Sequence, residues 1–383
     1  MTITDNLIKD LSKDFLLKDE GSVEDFLGVH IHQKESEHGQ EIHLHQCGLI
    51  NDVLSEMELL GPPSPTKFID TPAKEILTPD PDGDPFKAKW SYRSIIGKLN
   101  FLAQNTRPDI SCAVHQCAKY SINPKQSHGF AVKRICKCLR ATMDKGLILC
   151  PDGTHQLHAH SDSNFAGNWT PLFAHLRESH FSRAGCVITY SGCPIFWQSK
   201  LESEIALSTC EAECIALSMC CRQLIPLRRI LDELYSIFQV PFDTSHTEVI
   251  NELGCSVVLE DNSAALALAT DGDKCRPRTE HLSLKWHHFR DQVRNGGWLK
   301  IKKVHTKVNW ADIFTKPLPK PQFQFLRDAM MGWRTKHELQ DFLKDQHVEA
   351  LPIHPLQATA AFAFCPESDT HMPPRKRVRF AKE

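Results

Sequence analysis

The alternation of apolar and polar positions divides the chain into segments with different secondary structure. Residues 1 to 60 predict a helix followed by a hairpin, because both arms of VHIHQKESEHGQEIHLHQ alternate. Residues 61 to 90 are rich in Pro and Asp and predict a linker or a long loop. Between residues 91 and 146, apolar positions at helical spacing predict two or three helices, which Pro108 and Pro124 interrupt.

The hairpin separates two kinds of side chain. Alternation puts four apolar residues on one face and four histidines on the other: Val29, Ile31, Ile42 and Leu44, then His30, His32, His43 and His45. Four histidines on one face could bind a metal ion. A solvated polar face is the favoured interpretation, because no acidic or cysteine ligand accompanies them.

From residue 156 to about 316 the pattern changes to strands and helices. QLHAHSD predicts a strand, and GCVITYSGCPIFWQSK predicts two strands joined at Ser191-Gly192. A long helix begins near STCEAEC, and GCSVVLED predicts a buried strand. NSAALALA and HLSLKWHHFRDQVRNGG predict helices, the first capped by Asn262 or Ser263, and the strand WLKIKKVH precedes a last helix at NWADIFTK. This order predicts an α/β fold with a mixed sheet and helices on its faces.

Composition narrows the class of protein. With 383 residues, 41% of them hydrophobic and 24% charged, the chain is typical of globular proteins and has room for two domains. No apolar run approaches the roughly 18 residues of a membrane-spanning helix, and the first residues lack the apolar stretch of a secretory signal. The 15 cysteines form no CxxC pair, which argues against a zinc knuckle and favours reduced thiols in an intracellular protein.

Four carboxylates occupy comparable places in the second half of the chain. Asp162 and Asp261 end predicted strands, Glu213 lies in the first turns of the long helix, and Asp312 begins the last helix. Ligands collect at the carboxyl ends of strands in such folds, and four converging acids would repel one another without cations. Two divalent ions, Mg²⁺ or Mn²⁺, suit oxygen ligands and phosphodiester hydrolysis. Each acid alone equally suits an ordinary helix start, so the hypothesis depends on all four.

Seven separated motifs carry a resemblance to a known family. They are FLGVHI, YRSIIGKLNFLAQNTRPDISCAV, SDSNFAG, FWQSK, IALSTCEAEC, EDNSAALALA and NWADIFTKPLP. In this order they resemble the C-terminal part of the Pol polyprotein of copia-type LTR retrotransposons, from about residue 5 to 335. The resemblance implies that residues 1–150 are the end of a reverse transcriptase, a thumb or connection-like region. It implies a ribonuclease H-like domain at 155–335, with a mixed five-stranded sheet flanked by helices.

The family's activity supplies expectations for individual residues. The resemblance implies an endonuclease that cuts the RNA strand of RNA–DNA hybrids with two Mg²⁺ or Mn²⁺ ions, held by Asp162, Glu213, Asp261 and Asp312. Glu211 is expected to be the outward neighbour of Glu213. His305 lies in a loop where such ribonucleases often carry a mobile histidine that aids product release, although an ordinary surface histidine is the alternative.

The sequence also departs from the family. No Asp-Asp dipeptide occurs, so polymerase activity is not expected of this chain. Asn164 and Phe165 stand where the family usually has an acid and Trp, residues 169 to 181 are longer than the usual turn, and Pro226 interrupts the long helix. These features keep open a decayed or host-recruited nucleic-acid-binding remnant. An integrase-like DNA-cutting domain is a further alternative, although the motif order favours ribonuclease H.

Several polar and basic residues are candidates for contact with nucleic acid. Lys200, Asn262 and Ser263 flank the proposed metal site and could contact phosphate or the 2′-hydroxyl. The one-signed helix face of Lys133, Arg134, Lys137 and Arg140 could hold the duplex, although such a face is usually only solvated. The net charge of −2 does not by itself indicate nucleic-acid binding. A nearly neutral chain can still have a basic face.

The C-terminal segment and the expected partners complete these hypotheses. Residues 339–383 lose periodicity and predict a disordered tail, within which Arg375, Lys376, Arg377 and Arg379 form a basic cluster. The cluster makes nuclear entry an alternative to a cytoplasmic location. The expected partners are an RNA–DNA hybrid and the N-terminal reverse-transcriptase portion of a polyprotein, and no membrane is expected.

Overall fold

The structure is a computed structural model that describes residues 8–36, 39–60, 69–238, 256–270, 293 and 298–334, together with the backbone of 377–380. The predicted helix at HLSLKWHHFRDQVRNGG lies outside the described residues, apart from residue 293. Most of the predicted disordered tail also lies outside them.

A small antiparallel sheet lies in the first half of the chain. Its strands are β2 (Asp25–Phe26), β3 (Val29–Ser36), β4 (Gly39–His45) and β5 (Leu147–Leu149), in the order β2-β3-β4-β5. Ile31 pairs with Leu44 and His30 pairs with His45, so the predicted hairpin and its two faces are confirmed. The rings of His30 and His32 each stack on His45 at 5.1 Å between centroids.

Four helices pack beside this sheet. They are α1 (Cys47–Glu56), α2 (Tyr92–Asn105), α3 (Ser111–Ala118) and α4 (Gln126–Arg140). The apolar residues at helical spacing are buried in one core: Ile95, Leu99, Leu102, Val132, Ile135, Cys136 and Leu139. The helices predicted between residues 91 and 146 are confirmed. Pro108 begins a short 3₁₀ helix (Pro108–Ile110) between α2 and α3, and Pro124 lies between α3 and α4.

The second half contains a five-stranded sheet. Its strands are β6 (Leu157–Asn164), β7 (Arg183–Tyr190), β8 (Cys193–Leu201), β9 (Ser256–Glu260) and β10 (Leu299–Lys303), in the order β10-β9-β6-β7-β8. β6, β9 and β10 run parallel to their neighbours in that group, and β7 and β8 are antiparallel. The predicted mixed five-stranded α/β sheet is confirmed.

Helices cover both faces of this sheet. Alternate residues of β6 and β7, such as Ala159 and Cys186, pack against α5 (Thr209–Phe238) and α6 (Ser263–Thr270). The opposite face, which includes Val187, packs against α7 (Asp312–Thr315) and α8 (Lys320–Met330). This period-2 separation keeps the parallel strands buried on both sides. None of the described helices is long and apolar enough to cross a membrane.

Two irregular features of the sequence have clear outcomes. The helix α5 continues for 30 residues with Pro226 inside it, so this proline does not end the helix. The loop after β6 contains two short 3₁₀ helices, Pro171–Phe173 and Arg177–His180.

The two halves of the chain are in direct contact. The indole Nε1 of Trp197 on β8 donates to the carbonyl of Ala103 on α2 at 2.7 Å, and the amide of Ile148 donates to the carbonyl of Met331 at 3.0 Å. In addition, β11 (Arg377–Phe380) pairs antiparallel with β1 (Leu17–Gly21). Of the predicted tail at residues 339–383, the structure describes only the backbone of these four residues.

Candidate metal and nucleic-acid site

Two of the four acids come from adjacent parallel strands. Asp162 lies near the carboxyl end of β6, and Asp261 follows the last residue of β9. The strands are in register where His160 pairs with Leu259, so both strand ends open at the same edge of the sheet. Asp162 is 2% exposed, and Asp261 is partly exposed. This edge is where the carboxyl ends of parallel strands collect ligands in α/β folds.

The third acid comes from the helix that packs on the sheet. Glu213 lies in the first turns of α5 and is 4% exposed. One carboxylate oxygen each from Asp162, Glu213 and Asp261 lies within 4.8 Å of the other two. The Oε2 atom of Glu213 is buried and has no hydrogen-bond partner among the described residues. A buried carboxylate oxygen without a partner is costly, which points to a cation at this position.

The electrostatics of Glu213 reflect this crowding. Burial, and then the carboxylates of Glu260, Asp162 and Asp261, raise its pKa to about 11. Without a cation, Glu213 is therefore protonated at neutral pH. A divalent ion beside it would favour the ionised form, since an opposite charge stabilises a carboxylate.

Asp312 lies at the same edge, and other side chains contact both of its oxygens. It begins α7 and is fully buried. Its Oδ1 is 2.7 Å from the ammonium of Lys316, and its Oδ2 accepts a hydrogen bond from the amide of Gln322 at 3.1 Å. Burial, and then the Asp162 carboxylate, raises its pKa to about 8. Asp312 therefore lies beside the three-acid cluster, with the ammonium of Lys316 in reach of both Asp312 and Asp162.

Lys316 and Thr315 are site residues that the sequence analysis did not single out. Lys316 also approaches Oδ2 of Asp162 at 3.5 Å, and the hydroxyl of Thr315 donates a hydrogen bond to the same oxygen. Burial lowers the pKa of Lys316, but the carboxylates of Asp162 and Asp312 outweigh it and raise the pKa overall. The spacing of Asp312 and Lys316, four residues apart, was the signal in the sequence for such a pair.

Glu211 does not face outward as expected. It is 7% exposed, and its Oε2 accepts the amide of Leu207 at 2.8 Å. Its own amide donates to the hydroxyl of Ser208 at 3.1 Å. This arrangement resembles a capping box, in which Ser and Glu three residues apart satisfy the free amides at a helix start. The correction has a sequence signal, because Ser208 and Glu211 have that spacing.

Glu260 is a fifth buried acid at the site. It is the last residue of β9 and is fully buried, with the amide of Asn262 donating to its Oε1 at 3.0 Å. Burial raises its pKa well above the ordinary value, and Asp261 and Asp162 add to this. Alternation along β9 could have predicted its inward direction, because Val258 faces the same core.

The loop that precedes Asp312 is hydrogen-bonded to β6. Asn309 is fully buried, and its amide nitrogen donates to the carbonyl of Ser161 at 2.9 Å. The backbone amide of Trp310 donates to Nδ1 of His160 at 3.3 Å, and the two rings stack at 5.3 Å. His305 lies earlier in this loop, is exposed, and accepts the amide of Lys307 at 3.1 Å through its own Nδ1.

The polar residues proposed to flank the acids have defined contacts. Oδ1 of Asn262 accepts the amides of Ala264 and Ala265 at 2.9 and 3.0 Å, so Asn262 is the cap of α6. The hydroxyl of Ser263 accepts the ammonium of Lys303 at 2.8 Å. Lys303 also donates to the carbonyl of Asp261, which places a positive charge beside the three-acid cluster.

Lys200 lies in a separate groove between the two halves of the chain. It is paired with Ala184, which in turn pairs with Ser163, so two strand spacings separate it from β6. The groove has a volume of about 530 Å³, and Asn100, Gln104, His115, Gln198 and Lys200 are among the residues that line it.

The basic face of α4 is not simply solvated. Arg134 donates to the hydroxyl of Thr71 at 2.8 Å, and Arg140 donates to the carbonyl of Leu59 at 3.0 Å. Lys133 and Lys137 are partly exposed. Two of the four basic residues therefore hold the preceding loop, which leaves fewer charges for a duplex than the sequence indicated.

Comparison with known proteins places the chain in a wider group. No protein-family model matches it. It is 31% identical over 329 residues to the retrovirus-related Pol polyprotein from transposon TNT 1-94 of Nicotiana tabacum, covering 84% of this chain and 22% of that protein. It is 29% identical over 324 residues to the Pol polyprotein from transposon RE1 of Arabidopsis thaliana, covering 84% and 20%.

A solved structure was also found, that of LC11-RNase H1 isolated from compost. It is 18% identical and covers 42% of this chain and 93% of that one, with a TM-score of 0.28. The chain spans about a fifth of the length of the Pol polyproteins that it matches. Along 84% of its residues the chain is similar to the retrovirus-related Pol polyproteins of copia-type transposons, of which it matches a fragment.

Proposed function

We propose that this chain contains a metal-dependent ribonuclease H that hydrolyses the RNA strand of RNA–DNA hybrids. The observation that carries the proposal is the convergence of Asp162, Glu213 and Asp261, with a buried oxygen of Glu213 left without a partner. Similarity to retrovirus-related Pol polyproteins of transposons supports the same proposal.

The residues present fit a divalent cation. All three candidate ligands are carboxylates, which Mg²⁺ and Mn²⁺ prefer over the nitrogen and sulfur ligands typical of zinc. Bound there, such an ion supplies Lewis acidity for hydrolysis of a phosphodiester. Asp162, Glu213 and Asp261 are the residues that would hold it.

The chain's own contacts preorganise these ligands. Asp162 is fixed by its strand and by the hydroxyl of Thr315, and the loop beside it is held by Asn309. Asp261 is followed by the cap residue Asn262, which orients the start of α6. Ligand oxygens that are held in place by such outer contacts bind metal more tightly.

Recognition of the hybrid would use the polar groups around the cluster. Ser263 and Lys303 lie beside Asp261, and we propose that they contact phosphate or the 2′-hydroxyl of the RNA strand. Lys200 and the side-chain amides of Asn100, Gln104 and Gln198 line the groove between the two halves of the chain, and they would contact the nucleic acid further from the acids. His305 is exposed in the loop before α7, where product release is its proposed role.

The decisive experiment is cleavage of a labelled RNA–DNA hybrid with Mg²⁺ or Mn²⁺. We expect the wild-type protein to cut the RNA strand and Asp162→Asn to lose cleavage by about 100-fold or more, because the ligand charge is removed. Glu233→Gln is the matched control, since Glu233 is an exposed acid on the same helix as Glu213. Binding without cleavage by both wild type and Asp162→Asn would support the remnant alternative instead.

We further propose that the chain does not polymerise DNA. It contains no Asp-Asp dipeptide, the acid pair expected for nucleotidyl transfer. Primer extension on an RNA template should be absent at protein concentrations that cut the hybrid. Templated extension that persists in Asp162→Asn would contradict this proposal, because that variant separates the two activities.

A further inference from the structure

The oxygens between Asp162 and Asp312 are occupied by the chain itself. Lys316 contacts Oδ1 of Asp312 at 2.7 Å and approaches Oδ2 of Asp162 at 3.5 Å. Oδ2 of Asp312 accepts Gln322, and Oδ2 of Asp162 also accepts Thr315. Oδ2 of Asp312 is thereby hydrogen-bonded, and its Oδ1, which has no hydrogen-bond partner among the described residues, is in ion-pair contact with Lys316.

The remaining ligand oxygens lie on the other side of Asp162. There the cluster with Glu213 and Asp261 gathers three carboxylates within 4.8 Å, and Glu213 is 4% exposed with its Oε2 unpartnered. On this side Lys303 donates to the backbone carbonyl of Asp261, whereas on the Asp312 side Lys316 contacts the carboxylate oxygens themselves. A second divalent ion between Asp162 and Asp312 would lie close to the ammonium of Lys316 and be repelled by it.

We propose that Lys316 supplies the second positive charge of the site, so that the protein binds a single divalent ion, held by Asp162, Glu213 and Asp261. Asp312 is then the partner of Lys316 and is not an ion ligand. The role of the ion in cleavage rests on the proposed function. The number of ions bound does not, because it is a property of the folded chain. It replaces the two ions expected from the four acids.

The charge at the site supports this arrangement. When ionised, the four acids carry four negative charges, and one divalent ion with the ammonium groups of Lys316 and Lys303 supplies four positive ones. Lys316 directly follows the last residue of α7, so its ammonium lies beside Asp312 whether or not an ion is bound. A lysine is a compact point charge, which suits contact with two carboxylates at once.

Titration of the full chain with Mn²⁺ tests the proposal without any measurement of activity. Calorimetry, together with electron paramagnetic resonance of free Mn²⁺, should count one ion per chain in the wild type. Lys316→Gln should bind two, because removing the ammonium frees Asp162 and Asp312 for a second ion. Lys316→Arg should remain at one ion, because it keeps the charge. Two ions in the wild type, or one in a folded Lys316→Gln, would overturn the proposal.

Asp312→Asn gives an independent result if Lys316→Gln does not fold. Under the proposal this variant still binds one ion, with affinity within about threefold of the wild type, whereas loss of a ligand costs about 10- to 100-fold. Asp261→Asn is the matched comparison and should lose the ion. Equal losses in Asp312→Asn and Asp261→Asn would overturn the assignment of Asp312.

The outcome separates this inference from the proposed function. A protein that binds one Mn²⁺ ion and cuts no hybrid retains the lysine assignment and loses the ribonuclease proposal. A protein that cuts hybrid and binds two ions retains the ribonuclease and loses the lysine assignment. In Lys316→Gln, the dependence of cleavage on Mg²⁺ should change from hyperbolic to sigmoidal, because two ions are then required.

Discussion

Two glutamates in one turn of α5 are both buried, for different reasons. Glu211 accepts a backbone amide that precedes the helix, and its carboxylate contributes to the helix start. Glu213 is turned to Asp162 and Asp261, and its Oε2 has no partner among the described residues. A pair of matched substitutions can therefore distinguish helix capping from ion binding.

Glu211→Ala should lower the free energy of unfolding by about 1 kcal/mol, the usual effect of losing a cap, and leave Mn²⁺ affinity unchanged.

Glu213→Gln should abolish ion binding. In the absence of metal, Glu213→Gln should raise the free energy of unfolding relative to the wild type, and this gain should grow with pH, because the pKa of Glu213 is raised from 4.5 to about 11. The buried carboxyl loses stability as pH rises from 4.5 towards 11, and the amide does not. Urea titrations at several pH values measure this, and a wild-type-like pH dependence in Glu213→Gln would contradict it.

His160 has the opposite linkage. Burial, and then the nearby His158, lowers its pKa from 6.5 to about 3, so it is neutral in the folded protein. Its contribution to stability is therefore present above pH 6.5 and is lost as pH falls towards 3, with a limiting slope of about 1.4 kcal/mol per pH unit. His160→Phe should flatten the acid limb of the stability curve. It should also lower stability at neutral pH by about 1 to 3 kcal/mol, since the amide of Trp310 loses its acceptor. An unchanged acid limb would show that His160 titrates normally.

At the scale of elements, the helix α5 is unusual because it contains an interior proline. Its 30 residues include Pro226, which is exposed and cannot donate to the carbonyl four residues before it. The helix continues because Leu224 and Leu217, on its inner face, are fully buried against the sheet. Packing therefore outweighs the local penalty of the proline, as is usual for helices in folded proteins.

Pro226→Ala should stabilise the protein. An interior proline costs about 3 kcal/mol relative to Ala, but the more flexible unfolded chain offsets roughly 1 kcal/mol of the gain. We expect a net increase of about 1 to 2 kcal/mol in the free energy of unfolding. Arg229→Ala, at an exposed position one turn later, is the control and should change little. A destabilised Pro226→Ala would mean that a bend at this proline is required for packing.

At the scale of the whole molecule, the end of α8 joins the two halves. Trp333 is 7% exposed, and its indole Nε1 donates to the carbonyl of Gly146 at 2.7 Å. The cationic groups of Arg107, Lys145 and Arg327 lie 5.5, 5.0 and 4.9 Å from its ring. Buried aromatic rings in contact with cations add stability beyond their burial. The two halves should therefore unfold together.

Trp333→Ala should lower the free energy of unfolding by about 3 kcal/mol or more, as for other buried aromatic residues. Because Trp333 contacts both halves, hydrogen exchange should accelerate in β4 and in β6 alike. Trp169→Ala is the control, since Trp169 is 49% exposed. Faster exchange in one sheet only would show that the halves are independent units.

The sequence by itself determined much of the fold. Alternation predicted the hairpin of Ile31 and Leu44 because strand residues two apart share a face, and the positions of Ile95, Leu99 and Leu102 predicted a helix because residues three or four apart do so. The acids Asp162, Glu213 and Asp261 were predictable because strand ends and helix starts meet at one edge of such a sheet. These signals are local, so the sequence contains them.

Only the tertiary structure decided which charges meet. The sequence places Lys316 four residues after Asp312, but its approach to Asp162 depends on how α7 packs against β6. Likewise, nothing local distinguishes Arg134, which contacts Thr71 across 63 positions, from a solvated arginine. Contacts between residues distant in sequence depend on the packing of whole elements, and hydrophobic burial sets that packing without regard to the polar groups it brings together.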